Sequence, residues 1–456
     1  DQRTVSENWR SFFVHGPPGK PCRRRGIVVD FEKKTRPHGG EQERIVGKMK
    51  PSFAEKAAAW RAEGRRVLAL LGLAAAAGVI AGVLTAVFGH GVLAATALRE
   101  RWPLLLVLLP AGGAAICAVY ARWGGECGRG MALVFDAAAG RRDKVPARLV
   151  PLAVGATWLG HLLGASVGRE GVAVQIAAAG ASLLTPGLQA PRDKRRLLIA
   201  GVAAGFAGLF RTPLAATLFA LELFHTGVAQ YDALLPAAVA ALTASAVSGA
   251  LGVRPAAVVL GAEAPAFTVE TLIALAVLGA ACGLAGRLFV ELLHGLKDRF
   301  GRWMPGAYQR IVLVGALVAL FGLATGSRYN GLSEGLPAAA LAGGSLYAWD
   351  WLAKLCLTAV CLAAGFQGGE VAPLFTIGAC LGAVLAGPLG LPAPLGAALA
   401  YAAVFAAGTN TLASPILVGL ELFGGEYFGS FFLVCVMAYA CNGGHSIYPQ
   451  TPLGCI

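Results

Sequence analysis

The sequence predicts an all-helical membrane protein that crosses the bilayer several times and consists of two similar halves. Three observations predict this fold class. Hydrophobic residues make up 56% of the 456 residues and charged residues only 14%, whereas a soluble domain carries roughly 25% charged residues. Long apolar segments follow one another along the chain, and glutamate-containing motifs recur in its two halves. So few charges cannot cover a soluble globule of this size, which excludes most classes of soluble enzyme.

Apolar segments that predict membrane helices begin after residue 66. A helix that spans the bilayer needs about 20 apolar residues, and several of these segments are shorter. Short apolar segments broken by Gly or Pro indicate half-helices that meet inside the bilayer, where irregular backbone is tolerated only around protein or a water-filled cavity. The predicted helical ranges are 67–98, 103–121, 146–167, 171–186, 197–210, 213–224, 231–252, 268–296, 310–326, 349–365, 371–388, 394–408, 412–423 and 428–441.

The N-terminal segment differs from the rest of the chain. Residues 1–66 are basic and polar and show no sustained helical or strand period before about residue 53, so we expect them to be largely disordered. Met49 opens a basic amphipathic stretch that leads into the first span, which makes residues 1–48 a candidate upstream extension. No apolar region of a signal peptide follows the early arginines. We assign residues 67–260 and 261–456 to the two halves.

The net charge of +13 is concentrated in clusters beside the apolar segments. A basic protein can bind nucleic acid, but basic loops next to membrane spans orient the protein with those loops in the cytoplasm. The clusters at 61–66, 141–148 and 192–196 lie on one side if the spans between them cross in pairs. We therefore expect a cytoplasmic N-terminus, a lipid environment and no nucleic-acid partner.

The cysteines do not indicate a metal site. None of the ten cysteines forms a CxxC pair, and most lie inside apolar runs, where a free cysteine behaves as a small hydrophobic residue. The sequence therefore predicts neither a disulfide framework nor a zinc site, and we expect no cofactor.

A repeat relates the two halves of the chain. Residues 168–171 (GREG) correspond to residues 368–371 (GGEV), and the next intramembrane acids, Glu222 and Glu421, each lie in a Leu-Glu-Leu-Phe run. Two similar halves with broken helices at matching positions predict a transporter whose site lies at the repeat interface. We expect Glu222 and Glu421 to cap short helices or to form structural pairs.

Glu170 is the strongest candidate for a functional residue. It lies between glycines and between apolar segments, where a charged side chain costs about 2.5–3.5 kcal/mol on insertion scales. The run 172–184 predicts a helix that starts just there, and helix N-termini bind anions. The Glu170 carboxylate and a permeating anion would then compete for one site, which couples anion movement to protonation of the acid. The structural alternative is an ion pair with Arg169 or Arg211.

A second motif suggests a function from a different class. Residues 164–168 (GASVG) match the G-x-S-x-G pattern, with Ser166 as a candidate nucleophile and His161 as a candidate base. That motif requires a strand, a sharp turn and a helix, whereas the sequence on both sides of it here predicts membrane helices. His161 lies five residues before Ser166 and would face away from it on a helix. An intramembrane serine hydrolase is therefore the remote alternative.

Three motifs, in order along the chain, resemble those of the CLC family of chloride channels and proton-coupled anion antiporters. Residues 168–172 (GREGV) resemble the GREGP motif, residues 130–134 (GMALV) stand at the GSGIP motif, and residues 369–373 (GEVAP) stand at the GxFxP motif. The resemblance covers about residues 67–450. It implies the CLC fold of two inverted-topology halves with broken and re-entrant helices, and a homodimer with one pathway in each subunit.

Departures from the family pattern resemble the fluoride-exporting CLC-F branch. The central serine of the GSGIP motif is Met131, the second acid of the family's paired glutamates is Leu223, and the GxFxP motif contains an acid, Glu370. The resemblance implies that Glu170 and Glu370 gate the pathway and couple it to protons. The branch often has threonine where this chain has Ala372, so the role of that hydroxyl is open here.

The expected anion pathway needs hydrogen-bond donors. Methionine cannot donate a hydrogen bond, so backbone amides at helix starts or a tyrosine must hold the anion. Tyr448 is the candidate donor, and the alternative for this residue is an interfacial anchor. The pathway residues that we expect are Gly130, Met131, Gly168, Arg169, Gly171, Val371, Ala372 and Tyr448.

The expected function is the export of fluoride from a bacterial cytoplasm across the plasma membrane in exchange for protons. A chloride/proton antiporter and a voltage-gated-type chloride channel of the same fold remain alternatives, because motif spacing does not separate them. In each case the ligands are a fluoride or chloride ion and, for the antiporters, protons.

Overall fold

The computed structural model describes residues 53–255 and 257–452. Over these residues the chain is helical, and the only strand-like pairings are two isolated bridges. The predicted all-helical fold class is confirmed. The α-helices are α1 (Phe53–Arg101), α2 (Leu109–Val119), α3 (Met131–Ala138), α4 (Leu149–Leu163), α5 (Glu170–Ser182), α6 (Pro191–Phe210), α7 (Pro213–Glu222), α8 (Leu234–Ala250), α9 (Val269–Trp303), α10 (Ala307–Ala324), α11 (Gly335–Leu341), α12 (Asp350–Ala364), α13 (Val371–Ala386), α14 (Ala393–Thr409), α15 (Ala413–Phe423) and α16 (Phe428–Asn442).

The helices fall into long and short classes. Five helical segments of the described chain are long and apolar enough to cross a membrane, among them those that contain α1, α9 and α10. Most of the others are shorter: α5 has 13 residues and α7 has 10. At 1.5 Å per residue, α5 is about 20 Å long, less than the roughly 30 Å of a bilayer core. Broken helices therefore end inside the protein, as the Gly- and Pro-interrupted segments predicted.

Two expectations about elements require correction. Residues 53–66, which we assigned to the disordered segment, form the first turns of α1, because their Ala, Glu, Lys and Arg residues favour helix without an apolar period. Helices α3 and α11 were not predicted, because eight and seven residues are too few to register as a span. The expectations for residues 1–52 lie outside the described residues.

The two halves share unusual backbone features at matching positions. Gly164 ends α4 and Gly365 ends α12, both in the left-handed conformation. Arg211 ends α6 at a φ of 61° and Asn410 ends α14 at a φ of 53°. Left-handed residues other than glycine are uncommon. Their recurrence at corresponding helix ends extends the repeat from the motifs to the backbone.

Small residues let the central helices pack backbone to backbone. Every residue of α5 is buried, and so is nearly all of α14. A Cβ atom on Gly382 of α13 would lie only 2.1 Å from the carbonyl oxygen of Gly396 on α14, and one on Gly205 of α6 would lie 2.6 Å from that of Ala173 on α5. Close backbone approach of this kind replaces the hydrophobic effect as the source of helix association in lipid.

We expect Gly382→Ala to destabilise the protein by about 1–3 kcal/mol, because the new methyl group collides with the α14 backbone. Gly387→Ala, near the end of the same helix with no atom within 4 Å of its added Cβ, is the matched control. It should be neutral or slightly stabilising, because alanine reduces the entropy of the unfolded chain. Thermal unfolding in detergent measures both, and equal unfolding temperatures for the two variants would contradict this packing.

Candidate functional site

The two halves meet through their motif loops. The amide of Gly168 donates to the carbonyl of Gly369 at 2.6 Å, and the amide of Gly369 donates back to the carbonyl of Gly168 at 2.8 Å. A Cβ on Gly168 would lie 2.7 Å from Pro373 Cδ, and one on Gly369 would lie 2.6 Å from the nitrogen of Gly171. Only glycine permits this approach, so the motif glycines bring the starts of α5 and α13 together.

The Glu170 carboxylate accepts hydrogen bonds from one amide of each half. The residue is 1% exposed, and its Oε2 accepts hydrogen bonds from the amides of Ala372 at 2.9 Å and Arg169 at 3.1 Å. We expected the helix that follows Glu170 to supply the donors. That helix supplies only the amide of its N-cap, Arg169, and the shorter bond comes from α13, because the glycine contact points the start of α13 at the Glu170 side chain. Free amides and the helix dipole there stabilise negative charge.

Arg169 is close to two carboxylates. Its Nε lies 3.6 Å from Glu170 Oε1, and its Nη2 lies 3.7 Å from Glu334 Oε1. Arg211, the other predicted partner, donates to Ser245 and to the carbonyl of Val253 instead. The structural alternative for Glu170 therefore reduces to a long contact with Arg169, whereas the backbone amides supply its short hydrogen bonds.

A cavity of about 420 Å³ lies at the repeat interface. Of the predicted site residues, Gly130, Met131, Glu370 and Tyr448 line it. Gly130 adopts a φ of 52° and is followed directly by α3, which begins at Met131. The remaining predicted residues, which include Glu170, belong to the helix starts beside the cavity.

The cavity also contains polar residues that sequence reasoning missed. Gln175 of α5 lines it, as do His294, Lys297 and Asp298 of α9. Lys297 is partly buried, and its charge attracts that of Glu370 across the cavity. A sequence signal was available, because these three residues of α9 lie at i, i+3 and i+4 and therefore share one face of the helix.

Tyr448 is buried inside the protein, whereas an interfacial anchor would expose its ring to lipid. It is 6% exposed, and its ring stacks on Phe135 at 6.0 Å between centroids and meets Phe219 edge-on at 6.3 Å. None of the hydrogen bonds among the described residues involves its hydroxyl. The phenol lies within electrostatic reach of both Glu370 and Glu170.

The segment that carries Tyr448 is tied to both halves. Gln450 donates to the carbonyls of Leu223 and Thr409, each at 3.2 Å, and accepts from Asn410 at 2.9 Å. Leu223 is fully buried. The position of the family's second acid therefore contributes a carbonyl group here, and that carbonyl positions the tyrosine segment.

Glu222 and Glu421 cap helices, each in the opposite half. Glu222 accepts from the amides of Ala413 and Ser414 at the start of α15, at 2.9 and 3.1 Å. Glu421 accepts from the amides of Leu214 and Ala215 at the start of α7, at 3.1 and 2.8 Å. A carboxylate on free helix amides is a stabilising arrangement.

The structure does not support the hydrolase alternative. Ser166 is fully buried and is not among the residues that line the cavity. Its hydroxyl lies 3.0 Å from Lys354 Nζ and 3.0 Å from Thr358 Oγ1, while the imidazole of His161 bonds the carbonyl of Thr157. The motif connects two helices, α4 and α5, so the strand of a nucleophile elbow is lacking there.

Broken helices whose starts converge at a repeat interface, with a buried carboxylate on their amides, define a polytopic membrane protein for anion transport. The family model described as voltage gated chloride channel matches residues 112–443. The chain belongs to this family, the CLC family.

Individual relatives agree with this assignment. The chain is 39% identical over 396 residues to a chloride/fluoride channel protein of Pseudomonas syringae pv. tomato, with 85% of this chain and 86% of the relative covered. It is 27% identical over 395 residues to the H⁺/Cl⁻ exchange transporter ClcA of Yersinia pseudotuberculosis, with 78% and 80% covered. The crystal structure of a CLC-type fluoride/proton antiporter superimposes with a TM-score of 0.82 at 39% identity, over 88% of this chain and 100% of that chain.

We expect Glu421→Ala to lower the free energy of unfolding by about 1–2 kcal/mol, because two amides at the start of α7 lose their acceptor. Glu421→Gln keeps one acceptor oxygen and should lose less. Thermal unfolding in detergent tests the order, and an alanine variant as stable as the wild type would argue against capping across the halves.

Proposed function

We propose that this protein is a fluoride/proton antiporter that exports fluoride. One observation carries the proposal: the Glu170 carboxylate accepts a hydrogen bond from the Ala372 amide at the start of α13, beside a cavity that contains Met131, Glu370 and Tyr448. The names of the Pseudomonas syringae relative and of the similar crystal structure support fluoride as the anion.

Exchange follows from competition between two anions for the free amides at the start of α13. A carboxylate and a halide are both anions that accept hydrogen bonds from the same free amides. While Glu170 is ionised it holds the site, and when a proton neutralises it the attraction to the helix start falls and an anion takes its place. Return of the carboxylate requires loss of the proton and departure of the anion, which couples the two movements in opposite directions.

The cavity residues favour a small anion with strong hydrogen bonding. Met131 offers a thioether, which cannot donate a hydrogen bond, whereas the Tyr448 hydroxyl can donate one. Donors to an ionised acceptor form the stronger class of hydrogen bond, so a compact fluoride gains most from them. Glu370 is a second carboxylate in the same cavity, with Lys297 as its countercharge, and we assign it the role of proton acceptor on the route to solvent.

The basic clusters support a cytoplasmic N-terminus in a bacterial plasma membrane. Arg66, in the N-terminal third of α1, pairs with Asp193 at the start of α6 at 2.8 Å. Ser182 at the end of α5 accepts from the amide of Val145. Three basic stretches thus share one end of the helix assembly, the end that the positive-inside rule assigns to the cytoplasm. We infer a homodimer in lipid with one pathway in each subunit.

The direct test is anion efflux from proteoliposomes that contain the purified protein, with a fluoride electrode and a pH readout. We expect fluoride to leave faster than chloride and to drive protons in the opposite direction. Equal rates for the two halides would favour the chloride/proton antiporter that the ClcA relative suggests. Fluoride flow without proton movement would favour a channel.

We expect Glu170→Gln to abolish proton coupling, because glutamine keeps the shape of the side chain but cannot ionise or carry a proton. The measurement is proton uptake driven by a fluoride gradient in the same liposomes. Glu421→Gln is the matched control, since Glu421 also lies on helix amides but outside the cavity. An unchanged ratio of fluoride to protons in Glu170→Gln would remove Glu170 from the mechanism.

We expect Tyr448→Phe to slow fluoride efflux about tenfold or more, since a hydrogen bond to a charged group contributes about 1.5–3 kcal/mol. The phenylalanine keeps the ring contacts with Phe135 and Phe219. Tyr439→Phe on α16, which does not line the cavity, is the control. Wild-type efflux in Tyr448→Phe would show that the hydroxyl does not touch the anion.

A further inference from the structure

Lys354 of α12 is a buried cation whose partners are all uncharged oxygens. It has no exposed surface. Its Nζ lies within hydrogen-bond distance of four oxygens, which share its three N–H groups: the carbonyl of Gly331 at 2.7 Å, the hydroxyls of Ser166 and Ser333 at 3.0 Å each, and the carbonyl of Tyr329 at 3.1 Å. Four oxygens at these distances surround the ammonium as they would a bound monovalent cation.

No carboxylate neutralises this charge within the described parts of the chain. None of the ion pairs there involves Lys354, and the acid one turn earlier on α12, Asp350, is already engaged. Asp350 binds Arg328 at 2.5 Å and the hydroxyl of Tyr329 at 2.6 Å. A buried ammonium costs several kcal/mol unless protein groups replace its water. The four oxygens therefore replace the water around the ammonium and form a binding site for a cation.

The four oxygens belong to two loops that the cation joins. Ser166 lies in the loop between α4 and α5, which also carries Gly168 and Arg169. The other three lie in the loop between α10 and α11. In that loop Ser333 adopts a φ of 56°, a strained conformation for a residue other than glycine.

Two further contacts join the same loops. Asn330 donates to the carbonyl of Gly164 at 2.7 Å, and Glu334 lies 3.7 Å from Arg169. Loop 164–169 is therefore fixed on one side by the cation and on the other by the contact between Gly168 and Gly369.

We propose that the Lys354 ammonium is the permanent occupant of an internal monovalent-cation site, and that this site positions loop 164–169 so that Glu170 reaches the amide of Ala372. Lys354 is a positioning residue, because it acts on Glu170 through the loop. The effect on transport rests on the proposed function of Glu170, whereas occupancy of the site by a cation does not. Loss of the ammonium leaves the oxygens without a charge to bind and frees the loop.

The first test uses chemical rescue. Lys354→Ala removes the atoms of one propylammonium ion, so we expect this variant to have a lower unfolding temperature and fluoride efflux slower by about tenfold to a hundredfold, the cost of a small misplacement at a reacting centre. Millimolar propylammonium, added on both sides without a pH gradient, should restore most of both. 1-Propanol has a similar shape without charge and should restore neither.

The second test measures the number of protons that the protein moves for each fluoride. Lys354→Met fills the same space without charge, so it should lower the number of protons moved for each fluoride and should not respond to propylammonium. Thr358→Val, which removes the other partner of Ser166 but leaves the ammonium in place, should keep the wild-type ratio. If Lys354→Ala does not fold, the double variant Ser166→Ala/Ser333→Ala removes two of the four oxygens and should lower the same ratio.

The outcomes separate the two proposals. A wild-type protein that moves no protons with fluoride would defeat the proposed function, while rescue of the unfolding temperature of Lys354→Ala would still support the cation site. Wild-type efflux and coupling in Lys354→Met, or a folded Lys354→Ala that ignores propylammonium, would overturn the inference.

Discussion

The antiparallel contact between Gly168 and Gly369 determines where the other parts of the site lie. Because neither residue has a side chain, two helix starts approach so closely that the Glu170 carboxylate of one half reaches the α13 amide of the other. A helix start with free amides and a carboxylate would otherwise each need water. Across this contact they satisfy each other inside the protein.

Buried charges in the described parts of the chain are stabilised in two ways. Asp193 and Asp350 form ion pairs with arginines. Arg99 donates to the carbonyl of His161 at 2.9 Å, and Lys354 lies among four neutral oxygens. In the second arrangement, oxygen dipoles of the protein replace the water that the cation loses on burial.

The sequence predicted most of the helices and the acids, but not the contacts between the halves. Apolar runs and Gly or Pro breaks predicted most helix bounds to within a few residues, but they missed α3, α11 and the polar first turns of α1. The repeat identified Glu170 and Glu370 as a matched pair. The hydrogen bond between the Glu170 carboxylate and the start of α13 was not predictable, because only the contact between the folded halves decides which helix start lies beside this carboxylate. Lys354 was missed for a related reason: its partners lie in two loops that meet it only when the helices are packed. Lys297 could have been found, since it shares one face of α9 with His294 and Asp298.

The capping by Glu222 and Glu421 has a consequence for how damage spreads in this chain. Each acid satisfies amides about two hundred positions away in the other half. A substitution at one of these acids therefore frays a helix that lies far from it in sequence, and the local disorder is found in the other repeat. Each half thus supplies the acid that caps one helix of the other half. Loss of that acid, by substitution, by exchange of one half for a homologous copy or by expression of one half alone, leaves a helix start of the other half uncapped.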